Sequence, residues 1–145
     1  MILLDTNVVS ELMRPVPDLG VVAFLDSYPE SDVWISSVTV AEICLGIALL
    51  PDGKRKDILY AGAEKMFAED FYGRCLPFDC EAGREYARII KARREKGRPV
   101  SVEDAQIAAV AVMGGLVLVT RNTSDFLKIS GLQIINPWTE DAGKY

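Results

Sequence analysis

No histidine occurs in the 145 residues of this chain. That absence removes imidazole acid/base catalysis, Ser-His-Asp triads and His-ligated zinc. Cysteine is nearly as scarce. Cys44, Cys75 and Cys80 are odd in number and contain no C-x-x-C pair, so neither a disulfide framework nor a zinc site is indicated. A reducing cytosol suits them, and a cytoplasmic location is expected. Basic charge is in deficit, with 16 Lys+Arg against 21 Asp+Glu and a net charge of −5. A non-specific nucleic-acid coat needs the opposite balance. An enzyme acting on nucleic acid through metal ions does not, because carboxylates gathered at its site lower the pI themselves. Long apolar runs are missing as well. The longest stretch without a polar side chain, Ile107 to Val119, is too short to span a bilayer and contains Gly114-Gly115. Asp5 interrupts the N-terminus before a signal-peptide apolar region could form, so no targeting segment or membrane contact is expected.

What is present is globular. Half of the residues are hydrophobic and 26% are charged, in a length that suits one domain. Short apolar β-prone runs alternate with helical stretches. Ile2-Leu3-Leu4 reads as a strand, followed by a helix that ends before Pro15. Asp18 caps a short helix. Pro29 to Asp32 is a loop, and Val33 to Ser36 is a second strand. Ser37 is the expected N-cap of a helix from Val38 to about Leu50, which is apolar nearly all round and so buried in the core or in an oligomer interface. A polar helix is expected from about Arg55 to Phe71, and an edge strand at Arg74 to Phe78. Further helices run from about Cys80 to Lys96, capped by Asp79, and from Val102 to Met113, opened by Ser101. Leu116 to Val119 and Leu132 to Ile135 are the last strands, with a helical turn at Asp125 to Leu127 between them. This alternation predicts a three-layer α/β/α sandwich with a mostly parallel central sheet. Residues 1–138 are expected to form its single domain and 139–145 a C-terminal tail.

Polar groups converge on one edge of that sheet. Asp5 ends the first strand, at the carboxyl edge where open parallel sheets bind ligands. Glu42 lies in the first turns of the helix after the second strand, and Asn122 lies just after the fourth. Asp104 opens the helix that feeds the fourth strand. A crossover helix runs antiparallel to its strand, so Asp104 starts from the same edge. Asp104 shares a helix face with Ile107, Ala108 and Ala111 and points inward, whereas Glu103 belongs at the rim. Plain structural roles compete with this reading. Asp5 or Thr6 can cap the first helix, and Ser101 to Asp104 resembles a capping box. Glu42 is harder to explain that way, since a lone carboxylate in an apolar helix is costly unless it is paired or metal-bound. Gathered carboxylates raise one another's pKa unless a cation intervenes. Oxygen donors without His or Cys suit Mg²⁺ or Mn²⁺.

These residues bring a family into view. The chain resembles PIN-domain ribonucleases of the VapC toxin type, closest to their FitB-like branch. The resemblance rests on Ile2-Leu3-Leu4-Asp5-Thr6-Asn7-Val8, the segment Ser36 to Gly46, Glu103 to Ala109, Val119 to Phe126 and Asn136-Pro137-Trp138. It implies a Mg²⁺- or Mn²⁺-dependent endoribonuclease that hydrolyses an RNA phosphodiester with metal-activated water and leaves a 5′-phosphate. Asp5 and Asp104 match the family's principal metal ligands, and Glu42 matches the third acid, which helps hold the metal or orient the water. Thr6 and Thr120 match hydroxyl positions near the site. Asn122 stands where many members carry a fourth acid. Asp125, one helical turn further on, offers a supporting fourth carboxylate or, as the plainer reading, a structural cap. The resemblance also implies a cognate antitoxin laid across the site, a homodimer, and a larger toxin–antitoxin hetero-oligomer.

Lys91 to Arg98 carries five of the sixteen basic residues. It leads into the Asp104 helix, so Arg93, Arg94 and Arg98 are candidates to border the groove and hold RNA phosphates, although a charge run of this kind is more often a solvated helix end. Two further readings compete with the ribonuclease: a catalytically inactive PIN-type binding module, and a DNA nuclease of the same superfamily. A phosphoaspartate enzyme is disfavoured because Asn7 stands where its second aspartate is needed.

Overall fold

The computed structural model describes residues 1–138, so the expected tail at 139–145 lies outside the described residues. Five strands form one all-parallel sheet: β1 (Ile2–Leu4), β2 (Val33–Ser36), β3 (Cys75–Leu76), β4 (Val117–Val119) and β5 (Ile134–Ile135). Their order is β3-β2-β1-β4-β5, with β1 at the centre. Parallel neighbours need crossover connections, and helices supply them. These helices are α1 (Thr6–Leu12), α2 (Leu19–Asp26), α3 (Ser37–Ala48), α4 (Lys54–Lys65), α5 (Cys80–Glu95), α6 (Val102–Gly114) and the short α7 (Thr123–Phe126).

Strand periodicity divides the core into two. In β1, Ile2 and Leu4 face one way and Leu3 the other, all essentially inaccessible. Ile2, Leu4 and Val119 pack with Val8, Val9, Val21, Ile43, Ile47 and Ala63 from α1 to α4. Leu3 and Leu118 pack with Ala82 and Ile89 of α5 and with the alanine-rich face of α6. The result is the three-layer sandwich expected from the alternation. Each fully buried Leu or Ile contributes about 1.5–3 kcal/mol relative to exposure.

Local details differ from the sequence expectation in instructive ways. Ser36, not Ser37, caps α3: its Oγ accepts the Thr39 N–H at 3.2 Å. Ser37 is taken by a tertiary contact, accepting the Phe78 N–H at 3.0 Å. The polar helix is α4 followed by a wider π-helical turn, Met66–Asp70, and Glu30–Asp32 is a 3-10 turn. α6 ends at Gly115, whose φ of 67° is a left-handed conformation that favours glycine and returns the chain to β4. α3 is not buried all round. Val38, Thr39, Ile43 and Ile47 face inward, while Leu45 and Leu49 are 59% and 76% exposed. Core packing therefore accounts for only one side of this helix. Among the described residues no helix is long and apolar enough to cross a membrane.

Candidate active site

Because the sheet is all-parallel, the carboxyl ends of its strands share one edge, and the first turns of α1, α3 and α6 share it with them. Asp5 lies between β1 and α1 and is 3% exposed. It is the N-cap of α1, with Oδ1 accepting the Thr6 N–H at 2.8 Å. Oδ2 accepts from the Thr120 hydroxyl at 2.7 Å and from Asn7 Nδ2 at 3.1 Å. The cap and the site thus use the same carboxylate. Thr120 is fully buried at the end of β4, and its Oγ1 also accepts from Asn7 Nδ2 at 3.2 Å and from the Asn122 N–H at 3.1 Å. Asn7 completes the network by accepting the Arg121 N–H at 3.2 Å. Sequence reasoning missed Asn7 as a site residue. Its place two positions after Asp5, on the same edge, was the available signal.

Glu42 is half-buried in the second turn of α3. Its Oε1 accepts from the Thr6 hydroxyl at 2.7 Å, and that hydroxyl lies 3.1 Å from Thr39 Oγ1. Asp104 is half-buried in the first turn of α6, where Ser101 is the cap and its Oγ accepts the Asp104 N–H at 3.2 Å. Ile107, Ala108 and Ala111 are all buried and Glu103 is exposed, as the face argument required.

Electrostatics ties these acids together. Burial pushes the Asp104 carboxyl up to about 6, and the charges of Asp5, Asp125 and Glu42 push the same way; Ser101 opposes them. Burial also raises Asp5, against the hydrogen bonds of Thr120, Thr6 and Asn7, with Asp125 adding to the rise. No cation is among the influences on either group. Of the two roles open to Asp125 the cap is not made, since α7 has no side-chain cap bond, and the exposed Asp125 acts as a further charge on both acids.

The donor set suits a hard cation: oxygen atoms only, with two acids that repel each other. Yet among the described residues no three His, Cys, Asp or Glu side chains are gathered closely enough to hold an ion. Glu42 is hydrogen-bonded to Thr6 and Asp5 to Thr120 and Asn7, and the charges of both Asp5 and Glu42 are felt at Asp104. Asp5 and Asp104 are the two acids coupled most directly, Asp5 being the largest charge acting on Asp104. Asn122 is exposed beside the pair.

The expected RNA contacts separate. Arg94 and Arg98 are exposed, but Arg93 is 5% exposed and turned inward. Its Nε donates to the Arg98 carbonyl at 2.7 Å and its Nη1 donates to the Leu127 carbonyl. Arg93 is thus a corner brace rather than a phosphate contact. A groove of about 740 Å³ leaves the site between α1, α3 and α4. Thr6 and Glu42 stand at its site end, Met13, Ile47, Leu50 and Leu59 give it apolar walls, and Arg14 and Arg55 also line it.

Comparison with known proteins fits this geometry. The family model described as PIN domain matches residues 2–132. Toxin FitB of Neisseria gonorrhoeae is 44% identical over 138 residues, covering 95% of this chain and 99% of FitB. VapC ribonuclease Y4jK of Sinorhizobium fredii is 42% identical, also over 138 residues, covering 95% and 98%. Among solved structures, FitAB bound to an IR36 DNA fragment superposes with a TM-score of 0.86 at 42% identity, covering 96% of each chain.

Proposed function

The chain belongs to the PIN-domain family, and from that premise we propose that it is a metal-dependent endoribonuclease, the toxin of a type II toxin–antitoxin pair. The observation that carries the reading is the cluster of acids at one sheet edge, with the buried Asp5 held by Thr6, Asn7 and Thr120, Glu42 held by Thr6, and Asp104 close enough to feel the charges of both. Residues 1–138 are the PIN domain, and the protein works in the cytoplasm, where its RNA is.

Asp5 and Asp104 would hold Mg²⁺ or Mn²⁺, which bind through one or two carboxylates and keep several waters. When bound, such an ion supplies a water of lowered pKa and neutralises charge on the phosphoryl group. The chain's own groups do the remaining work. Thr120 and Asn7 lock the Asp5 carboxylate in one orientation. Glu42, with Oε1 tied to Thr6, keeps Oε2 to orient the attacking water and accept its proton. Asn122 offers a neutral amide at the mouth of the site, where a further carboxylate would repel the RNA. As the new P–O bond forms in line, the bond to the 3′-oxygen breaks and that oxygen takes a proton from solvent water. The products are a 5′-phosphate and a 3′-hydroxyl. This chemistry needs no imidazole pair, in keeping with a chain that has no histidine.

The apolar groove between α1, α3 and α4 suits an amphipathic segment of the antitoxin, which would reach the acids at the Thr6 and Glu42 end. The exposed Leu45 and Leu49 face of α3 supplies the homodimer contact.

Cleavage of a mixed RNA pool in Mn²⁺ or Mg²⁺ tests the reading, beside EDTA and an Asp5→Asn variant, with product ends mapped. The expected result is 5′-phosphate ends that vanish in both controls. Cleavage that survives Asp5→Asn would refute it. No cleavage, with no rise in Tm on adding metal, would favour the inactive binding module.

A further inference from the structure

Arg121 follows Thr120 directly, and its N–H is fixed to Asn7 within the Asp5 network. The backbone of this arginine is therefore part of the site. Its side chain is not spent on the site's acids. Neither Asp5 nor Asp104 feels a cation, and among the described residues Arg121 has no carboxylate partner. Instead the guanidinium carbon lies 5.0 Å from the centre of the Trp138 ring. Trp138 is held in turn. It packs at the edge of the core that contains Val8, Val9 and Val21, and its backbone N–H donates to Asn136 Oδ1 at 2.9 Å. An exposed arginine has much rotamer freedom to lose. Resting over a partly buried indole removes part of that cost in advance, while Arg121 itself stays exposed.

A chain of net charge −5 must hold a polyanion beside acids that repel it. Arg121 is the cation nearest in sequence to Thr120 and Asn122, and it is withheld from those acids. We propose that Arg121, stacked on Trp138, grips a backbone phosphate of the RNA strand next to the scissile one, with Trp138 as its positioning residue. This deepens the ribonuclease reading and rests on it. A planar guanidinium pairs with two phosphate oxygens at once, which sets strand register as well as affinity.

The test uses the full chain, mixed-sequence RNA and Mn²⁺, with Asp5→Asn as a separate control on the nuclease reading. Arg121→Ala should raise KM about tenfold, the worth of one charge-assisted contact, while kcat stays within about threefold. The slope of log(kcat/KM) against log[salt] should become shallower by about 0.7, one single-strand phosphate. Trp138→Leu should follow Arg121→Ala in direction, Trp138→Phe should recover most of the loss because it keeps a ring, and Arg121→Lys should fall between.

A second readout needs no catalysis. The chain has two tryptophans, so Trp34→Phe isolates Trp138 emission. Titration with a short single-stranded oligoribonucleotide in EDTA should change that emission, and Arg121→Ala should abolish the change. If Arg121→Ala leaves KM, salt slope and emission response as in the parent while Asp5→Asn is inactive, the grip is overturned and the nuclease reading stands. A fall in Tm with none of these changes would also overturn it, reducing the pair to a structural contact. Cleavage that survives Asp5→Asn would bring down the nuclease reading, and the grip with it.

Discussion

Two corners of this molecule bury charge, and they do so in opposite ways. At the end of α5, Arg93 is sunk among the α5–α6 loop and the exit of α7, and it donates to the Arg98 and Leu127 carbonyls. At the carboxyl edge of the sheet, Asp5 and Asp104 are also withdrawn from water, but there burial and neighbouring acids hold their protons above the ordinary carboxylate range. The arginine has carbonyl partners that take up its donors. The acids have partners that orient them and none that neutralises them. Burial alone does not mark a functional charge; burial with unrelieved repulsion does. Glu11 belongs with Arg93: although 8% exposed, it accepts from the Asp18 N–H at 3.2 Å and pairs with Arg14.

The contrast breaks most sharply under substitution. Asp5→Asn should lower kcat by about a thousandfold or more, a barrier increase of about 4 kcal/mol, while Tm changes by only a few degrees. Arg93→Met should do the reverse. Two carbonyls lose their donor, which costs about 2–4 kcal/mol of stability, and specific activity per folded molecule stays within about threefold. Chemical denaturation together with active-site-titrated rates separates the two. An inactive but fully stable Arg93→Met protein would put the arginine in the site after all and erase the distinction.

That distinction was half legible in the sequence. The parallel sandwich was legible because apolar runs of strand length alternate with helical stretches, and the acids because each sits at a strand end or helix start that topology sends to one edge. Asp104 could be separated from Glu103 by helical periodicity alone. The phase of Arg93 marks it as buried rather than as an RNA contact: it lies four residues after Ile89 and eleven after Ala82, both buried on the same stripe of α5. Other features were not legible at all. The Thr6–Glu42 and Asn7–Thr120 bonds join residues 36 and 113 positions apart, so no local pattern reports them. Ser36 and Ser37 are equally good caps locally, and only the distant Phe78 N–H claims one of them.

A smaller and more graded effect should come from pH. Asp104 in the folded chain titrates at about 6, above its ordinary value of 3.8. The folded state therefore binds this proton more tightly than the unfolded state. Stability falls as pH rises from about 4 to about 6, and above that the penalty is fully present. A divalent cation competes with the proton and relieves the same repulsion. Metal should thus raise Tm little at about pH 5 and by a few degrees at about pH 7.5, with the rise appearing through the region of 6. Thermal melts at several pH values with and without Mg²⁺ would read this directly. In Asp104→Asn the pH dependence of the metal effect should flatten. An Arg93→Met protein should keep it, since its corner has no part in the titration.

The smallest effect is expected where charge is exposed rather than buried. Arg94 and Arg98 stand on either side of the Arg93 brace, at the end of α5, which leads into α6 and so reaches the same edge as Asp104. Their long side chains have no fixed partner among the described residues, and salt screens them at distances beyond about 10 Å. Replacing both with Gln should raise KM for RNA by no more than about threefold, in line with the small worth of exposed charge pairs, and should leave kcat and Tm unchanged. The comparison with Arg121 makes this informative. All three arginines are exposed, but only Arg121 is pre-ordered by an aromatic ring. A loss in Arg94→Gln/Arg98→Gln larger than that of Arg121→Ala would mean that cation number along the edge governs RNA binding, and that the stacked geometry adds nothing. A smaller loss would mean that a charge must be held still to select a phosphate, as the brace at Arg93 and the locked carboxylate of Asp5 are held still for their own purposes.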